Sequence, residues 1–365
     1  MTTLFDPLAI NGLSLRNRLV RSATWEGMCD PDGRPTPKLI DCYRALARGG
    51  VGLIVSGYTY VSREGKQLPG KMGLDNDAFA ADYRALADAV HAEGGRLCIQ
   101  LVHAGGQADS RGAGRQPLAP SAVKVAQFPE EPQELSRAEI ARLVAAFAAA
   151  AGRAKAWGCD AVQLHGAHGY LINQFLSPLT NRRSDDYGGP VENRCRFLME
   201  VYAAVRAEVG ADFPVLIKLN GCDFVEGGLS VDDALYAARL LDRAGIDAIE
   251  VSGGTPASGS QTPVRTRIET AAQEGYNLAL ALGIKAAVDC PVISVGGFRS
   301  IEVAQQALAG GVEAVALSRP LIREPDLPAR WQAGDPARAA CISCNGCFRP
   351  GLKGEGVRCV VAEKG

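Results

Sequence analysis

Two histidines and a tyrosine stand close together in the stretch AVQLHGAHGY, at the end of an apolar run. His165 and His168 are spaced like a pair of metal ligands, but no carboxylate or further histidine stands at an obvious third position. Alternatively, the two imidazoles hold a carbonyl oxygen and withdraw charge from a conjugated double bond, while Tyr170 donates a proton to carbon. The pattern favours carbonyl binding over a metal. It also disfavours two purely structural histidines, because a glycine stands close after each of them.

The rest of the chain supplies a repeating scaffold for these side chains. Short apolar runs, each followed by a polar or helical segment, span 19–24, 51–57, 96–103, 161–166, 214–220, 248–254, 291–297 and 314–319. Nearly continuous apolar runs are typical of parallel strands that are covered on both faces. The helical segments carry start signals, such as the capping box from Ser136 to Glu139 and the serine at Ser230. Successive strand-helix units predict an α/β fold of the (β/α)8 TIM-barrel type, with an open doubly wound sheet as the alternative.

The barrel fold predicts where a site should form, because active sites in this fold gather where the strands end. The polar residues expected there are Thr24, Gln100, His165, His168, Tyr170, Lys218, Ser252, Gly296 and Arg319. The two longest connections, 104–135 and 171–190, leave the same face and are expected to cover the pocket. A hairpin around Asn11 and Gly12 is expected to cap one end of the barrel.

The last two units suggest an anion site. Gly296 and Gly297 precede a predicted helix, and Arg319 follows the next strand. Glycines let backbone amides approach an anion, and barrels commonly bind phosphate after strands seven and eight, although glycines also make simple tight turns. Gln100 can pair with the edge of a heteroaromatic ring, and Lys218 can stabilise negative charge on it. Together these features predict a flavin mononucleotide (FMN) across the barrel mouth.

Composition narrows the classes of function. The chain has 365 residues, is 47% hydrophobic and carries 39 basic against 40 acidic residues. This near balance gives no reason to expect nucleic acid or a membrane surface as a partner. No apolar run approaches the roughly 20 residues of a membrane span, and the N-terminus lacks a signal-peptide pattern. The protein is therefore expected to be soluble and cytoplasmic.

Four of the cysteines form a cluster near the C-terminus. Cys341, Cys344, Cys347 and Cys359 follow the spacing C-x2-C-x2-C-x11-C, whereas the remaining cysteines are scattered. Four thiolates in this arrangement suit a four-iron four-sulfur cluster; a zinc site and a metal-free tail are the alternatives. The predicted division is an FMN-binding barrel over 1–335 and a Cys-rich segment over 336–365.

These motifs resemble the old yellow enzyme family of FMN-dependent ene-reductases. The branch they resemble contains the barrel domain of 2,4-dienoyl-CoA reductase and related NADH:flavin oxidoreductases. The resemblance runs from about Leu4 to Val361 and is carried by NRLVRSAT, CIQLVHAG, HGAHGYLINQFLSP and the clustered cysteines. It implies a flavoprotein oxidoreductase that uses FMN, takes electrons from NADH or NADPH and acts on a small unsaturated substrate.

The resemblance also implies roles for individual residues. The residues matching the FMN site are Ser22, Ala23, Thr24, Gly57, Gln100, His165, Lys218, Ser252, Gly253, Gly296, Gly297, Ser318 and Arg319. His165 and His168 match the pair that binds the activating group of the substrate, and Tyr170 matches the proton donor. Two residues depart from the family pattern: Trp25 stands where relatives have Thr, Cys or His, and Lys218 where many have Arg. The cysteine spacing is also one residue shorter than usual.

The implied reaction is hydride transfer from reduced flavin to the β-carbon of an activated alkene, with Tyr170 protonating the α-carbon. Oxidation of an amine, and an electron-transfer subunit that relays between FMN and a cluster, are the alternatives. Larger relatives continue into further flavin and nicotinamide domains, whereas this sequence ends at Gly365. Electrons are therefore expected from a separate donor protein or directly from reduced nicotinamide. The resemblance leaves a homo-oligomer open.

Overall fold

Eight parallel strands close into a barrel in the computed structural model, which describes residues 2–364. The strands are β1 (Leu19–Arg21), β2 (Leu53–Val55), β3 (Leu97–Val102), β4 (Ala161–Gly166), β5 (Val215–Asn220), β6 (Ala248–Ser252), β7 (Val292–Val295) and β8 (Ala314–Leu317). Each strand pairs in parallel with the next, and β8 pairs with β1. This pairing confirms the predicted TIM barrel and excludes the open sheet.

Helices cover the outside of the barrel. They are α1 (Pro37–Arg48), α2 (Ala80–His91), α3 (Arg137–Ala156), α4 (Arg196–Val209), α5 (Val231–Arg243), α6 (Leu278–Lys285), α7 (Ile301–Ala309) and α8 (Leu327–Gln332). Shorter helices span Ser110–Ala113, Leu171–Leu176, Val191–Arg194, Arg319–Arg323 and Phe348–Leu352. The capping box predicted for α3 is present: Oγ of Ser136 accepts the N–H of Glu139 at 3.2 Å, and Oε2 of Glu139 accepts the N–H of Ser136 at 2.9 Å.

The predicted hairpin closes the amino-terminal end of the barrel. Its strands, Leu8–Ile10 and Leu13–Leu15, pair antiparallel around Asn11 and Gly12, whose φ angles are 43° and 77°. Two consecutive positive φ angles are typical of the tight hairpin turns that Asn-Gly favours. The apolar side chains of the hairpin pack on an interior layer formed by Leu53, Cys98, Ala161, Leu216, Ala248, Ile293 and Ala314. The hairpin is therefore a cap, as expected.

Strand alternation positions the polar side chains. On β5, Val215, Ile217 and Leu219 pack outward against the helices, whereas Leu216 joins the interior layer. Successive side chains of a strand point to opposite faces, so Lys218 points into the barrel like Leu216, one layer nearer the carboxyl ends. Glu250 on β6 stands beside Lys218 in the parallel register. The interior of the barrel is thus apolar at the end closed by the hairpin and polar towards the carboxyl ends of the strands.

The longest helix of the described chain is α3, and charged residues interrupt its sequence RAEIARLVAAFAAAAGRAKA. No helix within residues 2–364 is both long and apolar enough to cross a membrane.

Candidate active site

A cavity of about 450 Å³ opens at the carboxyl ends of the barrel strands. Most of the residues predicted for cofactor and substrate line it: Ser22, Ala23, Thr24, Gln100, His165, His168, Tyr170, Lys218, Ser252, Gly297, Ser318 and Arg319. Closure of the barrel brings side chains from the two ends of the sequence into one site. The volume lies within the range usual for cofactor and ligand pockets.

Three predicted cofactor residues do not line the cavity. Gly57 lies against Glu26, since an added Cβ would come 2.2 Å from Oε2 of that carboxylate. Gly253 and Gly296 pack on neighbouring loops, where a Cβ at either would lie within 3.2 Å of Asn277 atoms. These glycines allow close packing beneath the lining, and direct contact between them and a cofactor stays a prediction.

A buried polar network forms the floor of the cavity. Nε2 of Gln100 donates to Oε1 of Gln163 at 2.8 Å, and Nε2 of Gln163 donates to Oε2 of Glu250 at 2.8 Å. Nζ of Lys218 lies 3.0 Å from Oε1 of Glu250 and donates to Oγ of Ser22 at 2.7 Å. Glu250 is fully buried, so the ion pair with Lys218 compensates two charges that would otherwise be costly. Sequence reasoning missed Glu250, although a lone acid inside the run AIEVSGG was a possible signal.

The two histidines are held as neutral rings. Nδ1 of His165 accepts the N–H of Ala167 at 3.2 Å, which leaves the proton on Nε2, free to donate to a ligand. Nε2 of His168 lies 2.7 Å from Oγ of Ser252. Burial, followed by the charges of His168 and Lys218, lowers the pKa of His165 well below its usual range, and burial lowers the pKa of His168 to about 3. Both rings are therefore uncharged at neutral pH.

A tight turn sets the positions of these rings and of Tyr170. His168 and Gly169 both take left-handed backbone angles, with φ of 61° and 75°. The carbonyl oxygen of His168 accepts from Nε2 of Gln107 at 2.8 Å, which secures the turn. The result is a row of ring contacts: centroids lie 5.0 Å apart between His168 and His165, and 4.8 Å apart between His165 and Tyr170.

Tyr170 lies partly buried beside residues that sequence reasoning did not identify. Its Oη donates to Oε1 of Gln67 at 2.8 Å, and its ring centroid lies 5.2 Å from that of Tyr58. Burial raises the pKa of Tyr170 above its ordinary value, so the phenol keeps its proton. Nζ of Lys71 lies 3.6 Å from the Tyr58 ring centroid and 5.9 Å from that of Tyr170. Tyr58, Gln67 and Lys71 all line the cavity, and their approach depends on long-range folding that local patterns do not reveal.

The end of the cavity near β7 and β8 suits an anion. Gly297, Phe298 and Arg319 line it, and within residues 2–364 their backbone N–H groups donate no hydrogen bond. Amides left without partners are ready-made donors for a phosphate. The two amides immediately before α7 are used differently, because Oε2 of Glu274 accepts the N–H of Arg299 at 2.7 Å and of Ser300 at 2.8 Å. The start of α7 therefore offers those two amides to Glu274 rather than to a ligand.

The connections that cover the cavity differ from those predicted. From 104–135 only Gln107 reaches the lining, and among the described residues none of 171–190 does. In 171–190 the helix Leu171–Leu176 is buried, and Arg183 fixes the following loop through two bonds to Asp185 at 2.9 and 2.7 Å. The cover comes instead from residues 58–71, residues 256–264 and the C-terminal segment.

Trp25 links the cavity to the C-terminal segment. Its Nε1 donates to the carbonyl oxygen of Pro69 at 3.2 Å, and its ring packs against Gly351, where an added Cβ would lie 3.2 Å from two ring carbons. Phe348 and Ser343 of the same segment line the cavity. Trp25 thus shapes one wall of the site.

The four clustered cysteines converge on a second, much smaller cavity. Cys341, Cys344, Cys347 and Cys359 line a space of about 20 Å³, which Arg319 also borders. All four are free thiols, and burial raises the pKa of Cys347 to about 11. In the part of the chain that the structure describes, no group of three or more His, Cys, Asp or Glu side chains is arranged to hold a metal ion. Four thiols are a donor set that suits a metal centre.

Together, the barrel, the amides at the β7 and β8 end and the histidine-tyrosine row form one concave site at the carboxyl ends of the strands. Residues 3–337 match the NADH:flavin oxidoreductase / NADH oxidase family. The chain is 40% identical over 369 residues to a metal reductase of Desulforamulus reducens, covering all of this chain and 54% of that protein. It spans about half the length of the first curated relatives it matches.

Solved structures agree with this assignment. A 2-naphthoyl-CoA reductase in complex with 2-naphthoyl-CoA is 30% identical with a TM-score of 0.90, over 98% of this chain and 56% of that one. The old yellow enzyme homologue from Zymomonas mobilis is 29% identical with a TM-score of 0.81, over 93% and 95% of the two chains. The chain belongs to the NADH:flavin oxidoreductase / NADH oxidase family, the family of the old yellow enzymes, and is an enzyme. FMN and a reduced nicotinamide are the cofactors of this family.

Proposed function

We propose that the protein reduces activated carbon-carbon double bonds, in α,β-unsaturated carbonyl compounds or enoyl thioesters, with FMN as its cofactor. The observation that carries the proposal is the row His168, His165 and Tyr170 at the cavity wall, with neutral rings at one end and a protonated phenol at the other. This row supplies donors for a carbonyl oxygen and a proton for carbon within one site.

The cavity fits FMN. The unpartnered amides of Gly297, Phe298 and Arg319 suit its phosphate, and the paired Lys218 and the amide of Gln100 suit the polar edge of its ring. Bound FMN would take hydride from reduced nicotinamide and deliver it to carbon. In the proposed reaction, His165 and His168 hold the substrate oxygen, and Oη of Tyr170 donates a proton.

The charge of the cavity favours alkene reduction over oxidation of an amine. The lining contains the cations Lys71, Lys218, Arg299 and Arg319 and, within residues 2–364, no Asp or Glu. A protonated amine would meet these cations without a carboxylate to receive it, which is electrostatically unfavourable. Neutral and anionic substrates meet no such barrier.

The proposal is tested with the purified protein. We expect it to bind FMN, to be reduced by NADH or NADPH without air, and to return to the oxidised spectrum when an α,β-unsaturated ketone or enoyl thioester is added. Product analysis should find the saturated compound. Protein that binds FMN, is reduced and then reacts with amines but with no alkene would contradict the proposal.

The cysteine segment extends the proposal to a four-iron four-sulfur cluster and an external electron donor. The support is the convergence of the thiols of Cys341, Cys344, Cys347 and Cys359 on one cavity. Iron, sulfide and zinc are measured in protein prepared without air. Iron and sulfide in equal amounts support a cluster, and zinc alone supports the structural alternative. Protein that contains neither iron nor zinc has a metal-free segment.

A further inference from the structure

Among the residues that the structure describes, Lys71 is the cation of the cavity at the carboxyl ends of the strands, here called the main cavity, that has no side-chain or backbone partner in a hydrogen bond or ion pair. Lys71 is only 3% exposed and lines the cavity. Within residues 2–364 its ammonium forms no ion pair and no hydrogen bond, and its electrostatic support comes from Glu26 at longer range. A buried charge is normally paired, because removing it from water is otherwise costly. The position of Lys71 therefore calls for a ligand that supplies the missing negative charge.

The surroundings of Lys71 compensate it only in part. The ammonium lies over the face of Tyr58, 3.6 Å from the ring centroid, which gives a cation-π contact. Glu26 is itself buried and lies 3.7 Å from Arg21, so its charge already has a cation beside it. An aromatic face and a shared, distant carboxylate are weaker partners for an ammonium than a carboxylate in direct contact.

The other cations of the lining have their charges or donors engaged. Lys218 pairs with Glu250. Arg299 donates to the carbonyl oxygens of Ile268 and Ala339, at 2.5 and 3.1 Å, and borders the end of the cavity that suits a phosphate. Arg319 donates to Oδ1 of Asn345 at 2.6 Å and borders the same end. Lys218 interacts with the protein, and Arg299 and Arg319 lie at the end of the cavity that suits the FMN phosphate. Lys71 is therefore the cation available to a substrate.

The location of Lys71 relative to the histidines defines what it can bind. Ring contacts run from His168 through His165 and Tyr170 to Tyr58, and the ammonium lies over the last ring of this row. A substrate whose carbonyl oxygen meets the histidines therefore has its other end near Lys71. Tyr170, the proton donor of the proposed reaction, stands between these two contacts.

We propose that Lys71 binds a carboxylate of the substrate, at the end of the activated alkene opposite the carbonyl group that the histidines hold. The preferred substrates are then anionic unsaturated keto acids or aldehyde acids rather than neutral enones. This inference rests on the proposed function. It adds to that function a charge requirement and the residue that imposes it.

The test compares two alkenes with the same carbon skeleton, 4-oxo-2-pentenoate and its methyl ester, of which only the acid is charged. Because the ester group also activates the double bond more strongly than a carboxylate does, the decisive quantity is the acid-to-ester ratio of kcat/KM in the FMN-loaded wild-type protein relative to the same ratio in variants. A charge-assisted hydrogen bond, which the ester cannot form, is worth about a factor of ten or more in this ratio. In Lys71→Met, the acid-to-ester ratio should fall by about tenfold, chiefly through KM of the acid. Lys66→Met is the matched control, since Lys66 donates to the carbonyl oxygen of Pro31 and does not line this cavity. A ratio in K71M equal to that of wild type and K66M would overturn the inference.

Binding without turnover separates this inference from the proposed reaction. The saturated pair 4-oxopentanoate and methyl 4-oxopentanoate is titrated into oxidised, FMN-loaded protein and followed by flavin absorbance and calorimetry. If the acid binds more tightly to wild type and K71M removes the difference, Lys71 recognises a carboxylate even where no alkene is reduced. If alkenes are reduced but neither pair shows a preference for the acid in wild type, the proposed function stands and the role of Lys71 is wrong.

Discussion

Tyr170 shows how one residue acquires a chemical role from its neighbours. The O–H group of a phenol in water has no fixed orientation. In Tyr170 the hydrogen bond to Gln67 orients the O–H group, and burial raises its pKa, so the phenol keeps its proton. The neutral rings of His165 and His168 stand beside it as donors rather than as competing cations. These environments support the proposed division of labour, in which Tyr170 is the proton donor and the histidines hold the carbonyl oxygen.

Replacing Tyr170 by phenylalanine tests that division. We expect Tyr170→Phe to retain FMN and to be reduced by NADH at a rate within a few-fold of wild type, whereas alkene reduction falls by about 10²- to 10⁴-fold, the usual contribution of a general acid. Rapid mixing without air measures the two half-reactions separately. Tyr60→Phe is the control, because Tyr60 lies outside the cavity lining. An equal loss in both half-reactions of Y170F would point to a structural role.

The buried charge of Lys71 lowers the free energy of unfolding by an amount that depends on pH. Burial lowers its pKa from 10.5 to about 7, against the opposing effect of Glu26, while Tyr58, Tyr170 and His165 are the other titratable groups nearby. The folded protein then binds fewer protons than the unfolded chain between about pH 7 and 10.5, so this group makes stability rise with pH across that window. The cost is complete below the folded pKa and disappears above the unfolded one.

Lys71→Met should remove that cost. Each pKa unit corresponds to about 1.4 kcal/mol, so we expect K71M without ligand to melt several degrees above wild type near pH 7, with the difference shrinking towards pH 10. Thermal unfolding at a series of pH values measures the effect, and the exposed Lys124→Met serves as control. A difference that does not change with pH would mean that packing, not charge, separates the two proteins.

At the scale of the elements, the turn after β4 determines where the rings of His165, His168 and Tyr170 stand. Gly169 has a φ of 75°, and a Cβ there would lie 2.8 Å from Nε2 of Gln127 and 3.0 Å from Nε2 of Gln107. Gly189 has a similar φ of 83°, but no atom of the described residues 2–364 lies within 4 Å of an added Cβ there. The two glycines therefore share the backbone requirement and differ in the room around them.

Alanine at these two positions separates backbone strain from displacement of the site. Gly189→Ala should cost about 1 kcal/mol of unfolding free energy and leave alkene reduction near wild type, because only the left-handed angle is penalised. Gly169→Ala should cost more and reduce alkene turnover at least about tenfold, because Gln107 and the carbonyl of His168 must move. Chemical unfolding and steady-state rates measure both effects. Equal behaviour of the two variants would show that the turn does not position the rings.

The eight strands were predictable from the sequence because each signal is local. An apolar run bounded by helix and turn signals marks a strand, and the predicted bounds of β4 match the observed ones at 161–166. The first run was predicted to extend to 24, but β1 ends at Arg21, since Ser22, Ala23 and Thr24 leave the sheet to line the cavity. The residues that line the cavity lie beyond the paired part of the strand, which an apolar pattern does not reveal.

The missed parts of the site depend on contacts between distant segments. Lys71 and Gln67 reach the cavity from an irregular connection, and the partnership of Glu250 with Lys218 requires the register between β5 and β6. Glu274, in a loop 25 residues earlier in the chain than Arg299, accepts the amide of Arg299 just before α7. None of these positions has a local spacing that distinguishes it, so geometry was needed to identify them.

At the scale of the whole molecule, the Cys-rich segment packs as part of the barrel wall. The N–H of Val357 donates to the carbonyl oxygen of Glu26 at 2.7 Å, and that of Ala339 to the carbonyl oxygen of Arg299 at 2.8 Å. Phe348 lines the main cavity, and Asn345 accepts from Arg319. Residues on both sides of the predicted division at 335 therefore contribute to the same cavity.

Removal of the segment should consequently weaken cofactor binding. We expect a chain ending at residue 335 to bind FMN at least about tenfold more weakly than the full chain, because Arg319 is then without Asn345, and the cavity wall is without Phe348 and the packing of Trp25 on Gly351. Quenching of FMN fluorescence measures the affinity, and circular dichroism verifies that the truncated barrel is folded. A full-length variant with serine at the four clustered cysteines keeps this packing while removing the thiols, so its FMN affinity should stay near wild type. If the folded, truncated barrel binds FMN as tightly as the full chain, the segment is an independent unit. If the serine variant binds FMN more weakly, the thiols or a metal that they hold, rather than the packing, support the flavin site.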